Sequence, residues 1–240
     1  MCKMCNPSIA ESRRHFLKGL SAATLGLSSL ASLSAFAAPP KPENLISPQQ
    51  ALERLMQGND RYLTNNSTHI GFNQTREALT RGQNPYACIL SCSDSRVAPE
   101  MCFDSERGDL CVTRVAGNYV APSVLASLEY GTAVLKSPLI MVLGHTSCGA
   151  IGAAIKAVKD DQAFPGHIQS IASDLGPAVR AALDASPKDL DAEATRQNVM
   201  LNVLKLKQAT PVLSRLTKSS SLLIVGGVYD LETGRVERIV

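Results

Sequence analysis

Ile89-Leu90-Ser91-Cys92-Ser93-Asp94-Ser95-Arg96 is an apolar run that stops on a thiol, an acid and a guanidinium. A short run of this kind behind Pro85, giving way to a Ser/Asp cluster, predicts a buried strand that ends in a polar loop. In open α/β sheets, chemistry gathers just past such carboxyl ends. A second stretch repeats the pattern: Leu139-Ile140-Met141-Val142-Leu143-Gly144-His145-Thr146-Ser147-Cys148-Gly149. Two strand ends therefore offer two thiols and one imidazole.

Those are the groups that a catalytic zinc ion takes from protein, with a fourth position left for water. The signal is specific only as a set, because Cys92 alone would read as an inert buried thiol and His145 alone as a hydrogen-bonded loop histidine. His-x-x-Cys on a Gly-flanked turn after a strand lets two ligands face one point. A structural zinc site would bring paired Cys-x-x-Cys knuckles; the sequence has a single such spacing, Cys2 to Cys5, and no second one to pair with it.

Cys-Ser-Asp-Ser-Arg followed by Gly-His-x-x-Cys-Gly resembles the β-class carbonic anhydrases. The resemblance extends to Ser47–Tyr62 (SPQQALERLMQGNDRY), Val112–Val120 (VTRVAGNYV), Leu128–Gly131 (LEYG) and Gly227–Val236 (GVYDLETGRV), and covers roughly residues 44 to 240. It implies one Zn2+ per chain on Cys92, His145 and Cys148, and an Asp94–Arg96 pair that acts as a switch: paired, it leaves water on the metal; broken, it lets the acid close the site. It further implies Gln83 and Tyr130 as substrate-pocket residues and Gly149 as a backbone donor. The family is dimeric or larger, with the amino-terminal helix gripping the partner and the pocket formed at the interface. Cys111 and Ala116 fall where relatives place larger pocket residues. Some bacterial relatives open the Asp–Arg pair when bicarbonate fills a pocket containing a Trp. This chain has no Trp, so its pair is expected to stay closed.

The amino-terminal region reads as an address. Ser12-Arg13-Arg14-His15-Phe16-Leu17-Lys18 has the twin-arginine form, followed by an Ala/Ser/Leu-rich run from Leu20 to Ala35 and a small-residue site at Ala35-Phe36-Ala37. The run is shorter than the ~20 strongly apolar residues that a membrane span needs. The reading is a twin-arginine signal over residues 1–37, export to the periplasm by the twin-arginine machinery, no stable membrane insertion after cleavage, and one catalytic domain over 38–240. Four basic residues and one acidic residue in 1–37 account for the whole formal charge of +3. The remainder is neutral, and nothing in it suggests a nucleic-acid surface. Of seven cysteines, Cys2 and Cys5 leave with the signal; Cys88, Cys102 and Cys111 have no assigned role and are expected to be buried and reduced.

After the signal, strands and helices alternate, which predicts an α/β fold with a mostly parallel central sheet flanked by helices. The expected strands are 87–91, 110–114, 139–143 and 222–228, with 235–239 as a possible edge strand. The expected helices are one opened by the Ser47-Pro48-x-Gln50 capping box, a second over 73–81 ending at Gly82, and others over 123–135, 149–160, 166–185 and 190–208.

Zinc on two thiolates and an imidazole lowers the pKa of a water from ~16 towards ~7. Carbon dioxide is a small apolar electrophile, so the protein must add a dry slot and donors for the bicarbonate oxygens. Asp94 is placed to accept the nucleophile's hydrogen bond, and Arg96 to hold Asp94 ionised. The expected activity is reversible hydration of carbon dioxide to bicarbonate and a proton. Two other functions fit the motifs: a carbon disulfide or carbonyl sulfide hydrolase on the same scaffold, and a non-catalytic zinc or thiol protein, against which the positioned acid argues.

Overall fold

The computed structural model describes residues 46–68 and 72–240; the segment read as an export signal lies outside them. Four parallel strands, β1 (Ala87–Ser91), β2 (Leu110–Arg114), β3 (Leu139–His145) and β4 (Leu223–Tyr229), are joined by an antiparallel β5 (Val236–Arg238) in the order β2-β1-β3-β4-β5. The possible edge strand is thus a fifth member of the sheet.

Every residue of β1 and β3 is buried, because helices cover both faces of a parallel sheet. Ala87, Ile89, Leu139 and Met141 face a layer formed by α1 (Pro48–Leu63) and the short α3 (Pro99–Cys102). Cys88, Leu90, Ile140 and Val142 point the other way. They pack on α4 (Pro122–Glu129), α7 (Leu190–Gln208) and α8 (Leu213–Lys218). Beyond the carboxyl ends of the strands, α5 (Gly149–Lys159) and α6 (Ile168–Asp184) form a third cluster. It contains Cys92, Cys148, Ile151 and Leu175.

The capping box forms as expected: the Gln50 N–H donates to Ser47 Oγ at 3.2 Å, and the Ser47 N–H to Gln50 Oε1 at 2.8 Å. β3 runs two residues further than its apolar run, because Gly144 and His145 pair with Val228 and Tyr229. The helix expected over 123–135 becomes α4 followed by a π-helical turn, Tyr130–Val134. The helix α2 spans Phe72–Leu79, so Gly82 lies beyond its end and does not cap it. α3 and α8 are too short for a periodic signal. Within one chain α1 turns Leu52 and Leu55 onto the chain's own core.

At Gly58, α1 crosses the backbone of Phe103 so closely that a Cβ would lie 1.9 Å from the Phe103 carbonyl oxygen. Gly58→Ala should therefore cost about 2 kcal/mol or more. Gly152→Ala, inside α5 with nothing within 4 Å of the new Cβ, should add about 0.5–1 kcal/mol. Urea unfolding of the two variants checks the contrast, and equal midpoints would contradict it.

Candidate metal centre

β1 and β3 are parallel neighbours with Ser91 opposite Leu143, so the residues that leave both strands emerge side by side. Cys92 follows β1, His145 ends β3, and Cys148 is the N-cap of α5; all three are buried. Between the last two, Ser147 takes a left-handed conformation (φ 54°) that turns the chain back so both side chains face one point. Their ligand atoms lie within 4.8 Å of one another. Cys92 Sγ and Cys148 Sγ are 4.0 Å apart, close to the ~3.8 Å that two sulfurs span across a tetrahedral ion with ~2.3 Å bonds.

His145 Nδ1 lies 2.9 Å from the Thr146 carbonyl oxygen. A carbonyl only accepts, so Nδ1 carries the proton and Nε2 turns a lone pair toward the sulfurs. That Nε2 is buried without a hydrogen-bond partner. An orphaned buried acceptor aimed at two thiols is what a soft dication would satisfy.

The cluster is also electrostatically unbalanced. The Cys148 thiol, with help from His145 and from the Gly117 N–H at 3.3 Å, outweighs burial and pulls Cys92 down to about 4. The Cys148 thiol is pushed up, because its ionisation would set a second negative charge beside Cys92 in a buried place. Burial opposes a charged His145, but Cys92 outweighs it and raises the imidazole. A dication removes the conflict by letting both sulfurs ionise.

Asp94 stands next to the cluster, its Oδ2 3.8 Å from His145 Nε2. Arg96 grips it with two parallel bonds, Nε to Oδ1 at 2.9 Å and an Nη to Oδ2 at 2.7 Å, and with its own N–H at 3.0 Å. The guanidinium holds the carboxyl well below the usual range against the effect of burial. Arg96 also donates to the Ser147 carbonyl at 3.2 Å. One side chain thus ties both ligand loops together.

Two supports escape a reading of the sequence. Arg114, the last residue of β2, donates from Nε to the Cys92 carbonyl (2.9 Å) and from an Nη to the Asp94 carbonyl (2.6 Å). On α7, Asn202 accepts from the Val120 N–H at 2.7 Å and donates to Asn198, which donates to the Gly117 carbonyl at 2.8 Å. The same Gly117 peptide segment donates to the Cys92 sulfur. At φ 82°, with Leu175 Cδ1 2.6 Å from where a Cβ would sit, position 117 admits only glycine. Two Asn four apart on a packed helix face were the available signal.

The other expected site residues lie elsewhere on the single chain. Gln83 is exposed ahead of β1, at the opposite end of that strand from Cys92. Tyr130 is 53% exposed and lines a groove with Cys111 and Arg114. Gly149 opens α5 beside Cys148. Cys88, Cys102 and Cys111 are free thiols as expected, but Cys111 is only half-buried because β2 is an edge strand.

A buried two-thiol, one-imidazole cluster with a gripped acid stands at the carboxyl ends of a parallel sheet and could hold a metal ion. Residues 87–236 match the family described as carbonic anhydrase. Carbonic anhydrase 2 of Mycobacterium tuberculosis is 36% identical over 189 residues, 78% of this chain and 91% of that protein. The structure of the β-carbonic anhydrase CcaA superposes with a TM-score of 0.64 at 27% identity, covering 79% of this chain and 93% of that one. A chain from the crystal structures of two tetrameric β-carbonic anhydrases of Sordaria macrospora shares the fold at 22% identity, with a TM-score of 0.63 over 79% of this chain and 97% of that one. The chain belongs to the β-class carbonic anhydrases.

Arg114→Met should leave the Cys92 and Asp94 carbonyls without their clamp and weaken metal affinity about 10-fold or more. Competition with a chromophoric chelator measures this. Unchanged affinity would show that the guanidinium does not position the ligand loop.

Proposed function

We propose that the chain catalyses the reversible hydration of carbon dioxide to bicarbonate and a proton, with one zinc ion held by Cys92, His145 and Cys148. The observation that carries this reading is the buried, unpartnered His145 Nε2 set with two sulfurs inside 4.8 Å. Zinc held there supplies the Lewis acidity that makes a water ionise near neutral pH.

The chain's own residues do the rest. The Asp94 carboxylate accepts the hydrogen bond of the attacking oxygen and aims its lone pair at the carbon. Arg96, by occupying both carboxylate oxygens, keeps Asp94 from swinging onto the metal. The Gly149 N–H, at the positive end of α5, faces the oxygen on which charge develops. The Gly117 N–H bond to Cys92 limits the charge that this sulfur donates. Cys92→Ser should lose both the zinc and at least about 100-fold in stopped-flow hydration rate. A variant with full zinc and full rate would refute this ligand set.

A second copy of the chain completes the pocket. Gln83 and Cys92 stand beyond opposite ends of β1, whose five residues span about 13 Å, so Gln83 serves the partner's centre. Tyr130 and Val134, 53% and 58% exposed on one π-helical turn, provide an apolar surface to bury. We therefore read the protein as a dimer or larger homo-oligomer, and a fully active monomer in sedimentation would contradict it.

Residues 1–37 act as a twin-arginine signal on the catalytic domain, with the periplasm as destination. That route carries folded proteins and so suits a metal loaded onto reduced thiols before export. Arg13→Lys with Arg14→Lys should leave active enzyme in the cytoplasm; undiminished periplasmic activity would count against this route.

A further inference from the structure

The helix α7 buries two amides beside its apolar face. Val199, Val203 and Leu206 pack it on the sheet, and Asn198 and Asn202, each 2% exposed, stand about one turn apart next to them. A buried amide is costly unless it is hydrogen-bonded, and here every side-chain nitrogen and oxygen of the pair has a partner. The Val120 N–H donates to Asn202 Oδ1 at 2.7 Å, and Asn202 Nδ2 donates to Asn198 Oδ1 at 2.8 Å and to the Asn198 carbonyl at 2.7 Å. Asn198 Nδ2 in turn donates to the Gly117 carbonyl at 2.8 Å. The links all point one way, so each polarises the next, and both ends of the series fall on the same turn of the chain.

We propose that Asn198 and Asn202 are positioning residues for the metal centre: by tying Gly117 and Val120 to α7, they keep the Gly117 N–H on the Cys92 sulfur and so set how much charge that sulfur donates. The proposal rests on the ligand set given above. The turn does not keep this shape by itself, because Gly117 (φ 82°) and Asn118 (φ 40°) are consecutive left-handed residues, a conformation that an untied loop would leave. From the other side, Leu175 of α6 occupies the space of a side chain at position 117, with its Cδ1 2.6 Å from where that Cβ would sit. Packing on α6 thus limits the turn in one direction and the two amides in the other. Between these two helices, the Gly117 nitrogen rests 3.3 Å from Cys92 Sγ.

The same helix touches the strand that carries the imidazole. A Cβ at Gly144 would stand 2.7 Å from Val199 Cγ2 and 3.3 Å from Thr195 Cγ2, so α7 lies directly on the backbone just ahead of His145. One helix therefore places the Gly117 donor relative to β3 as well as to Cys92. Partners outside a ligand set orient the ligands and tune them, and a hydrogen bond to a metal-bound sulfur draws charge away from the metal. Replacing either amide by a side chain without donors or acceptors breaks the series at a known link: at 198 it frees the Gly117 carbonyl, and at 202 it frees the Val120 N–H and the Asn198 amide.

The test follows the metal nucleus rather than activity. The full chain is loaded with an NMR-active cadmium isotope in place of zinc, and correlations between cadmium and protons are recorded. The wild type should show Cys92, His145 and Cys148 and, through the N–H···S bond, the Gly117 amide proton. Missing correlations to the first three would refute the ligand set and this proposal with it, whereas their presence without the Gly117 amide would overturn this proposal alone. Asn198→Ala should lose the Gly117 correlation and weaken cadmium binding about 10-fold. Asn202→Ala breaks the other link and should act in the same direction, so either folded variant decides. Val203→Ala is a core change on the same helix, where Val203 packs on Gly226, and should keep the Gly117 correlation at wild-type strength. Persistence of that correlation in the Asn variants, or its equal loss in Val203→Ala, would overturn the proposal.

Discussion

Parallel pairing of β1 with β3 is the constraint on which the site depends. With Ser91 opposite Leu143, the two chains run out of sheet side by side, and a thiol from one meets an imidazole and a thiol from the other. A one-residue slip would turn every side chain of a strand to the opposite face. Both faces of these strands are buried, but the two covering layers differ in shape: Cys88 must meet Gly131, and Ile89 must meet the α1 layer. Core packing therefore sets the register, and the register brings the two thiols and the imidazole together.

Gathering two thiols and an imidazole in a buried place carries an electrostatic cost that the surroundings distribute. The Gly117 N–H reaches the Cys92 sulfur, and the Thr146 carbonyl fixes the imidazole tautomer. The guanidinium of Arg96 spans from Asp94 to Ser147, while that of Arg114 spans from Cys92 to Asp94. These two arginines hold the loops that carry the thiols and the imidazole, through three backbone carbonyls and the Asp94 carboxylate. Behind them, Asn198 and Asn202 convert a helix face into a brace for the Gly117 turn. Such buried amides are effective because a broken link would leave a carbonyl unsatisfied, at about 1–3 kcal/mol.

What was legible in the sequence follows from range of interaction. β1 and β2 lie where their apolar runs lie, since turn residues bound both runs, and the capping box of α1 is a local motif. The thiols and imidazole of the candidate centre stood out in the sequence because two apolar runs stop abruptly just before or among them. Arg114 did not: it reads as the polar terminus of a strand, and its partners, about 20 residues upstream, come within reach only once β2 lies beside β1. The extension of β3 through His145 depends on pairing with Tyr229. The π-helical turn at Tyr130–Val134 leaves no mark on an apolar periodicity that serves an α-helix equally well. The half-exposure of Cys111 likewise follows from strand order, which no local pattern encodes.

X-ray absorption at the zinc edge of the purified full chain tests the central claim most directly. Two sulfur scatterers near ~2.3 Å with an imidazole nitrogen near ~2.0–2.1 Å are the result that Cys92, Cys148 and His145 predict. A first shell of four sulfurs, or one of nitrogen and oxygen alone, would contradict it.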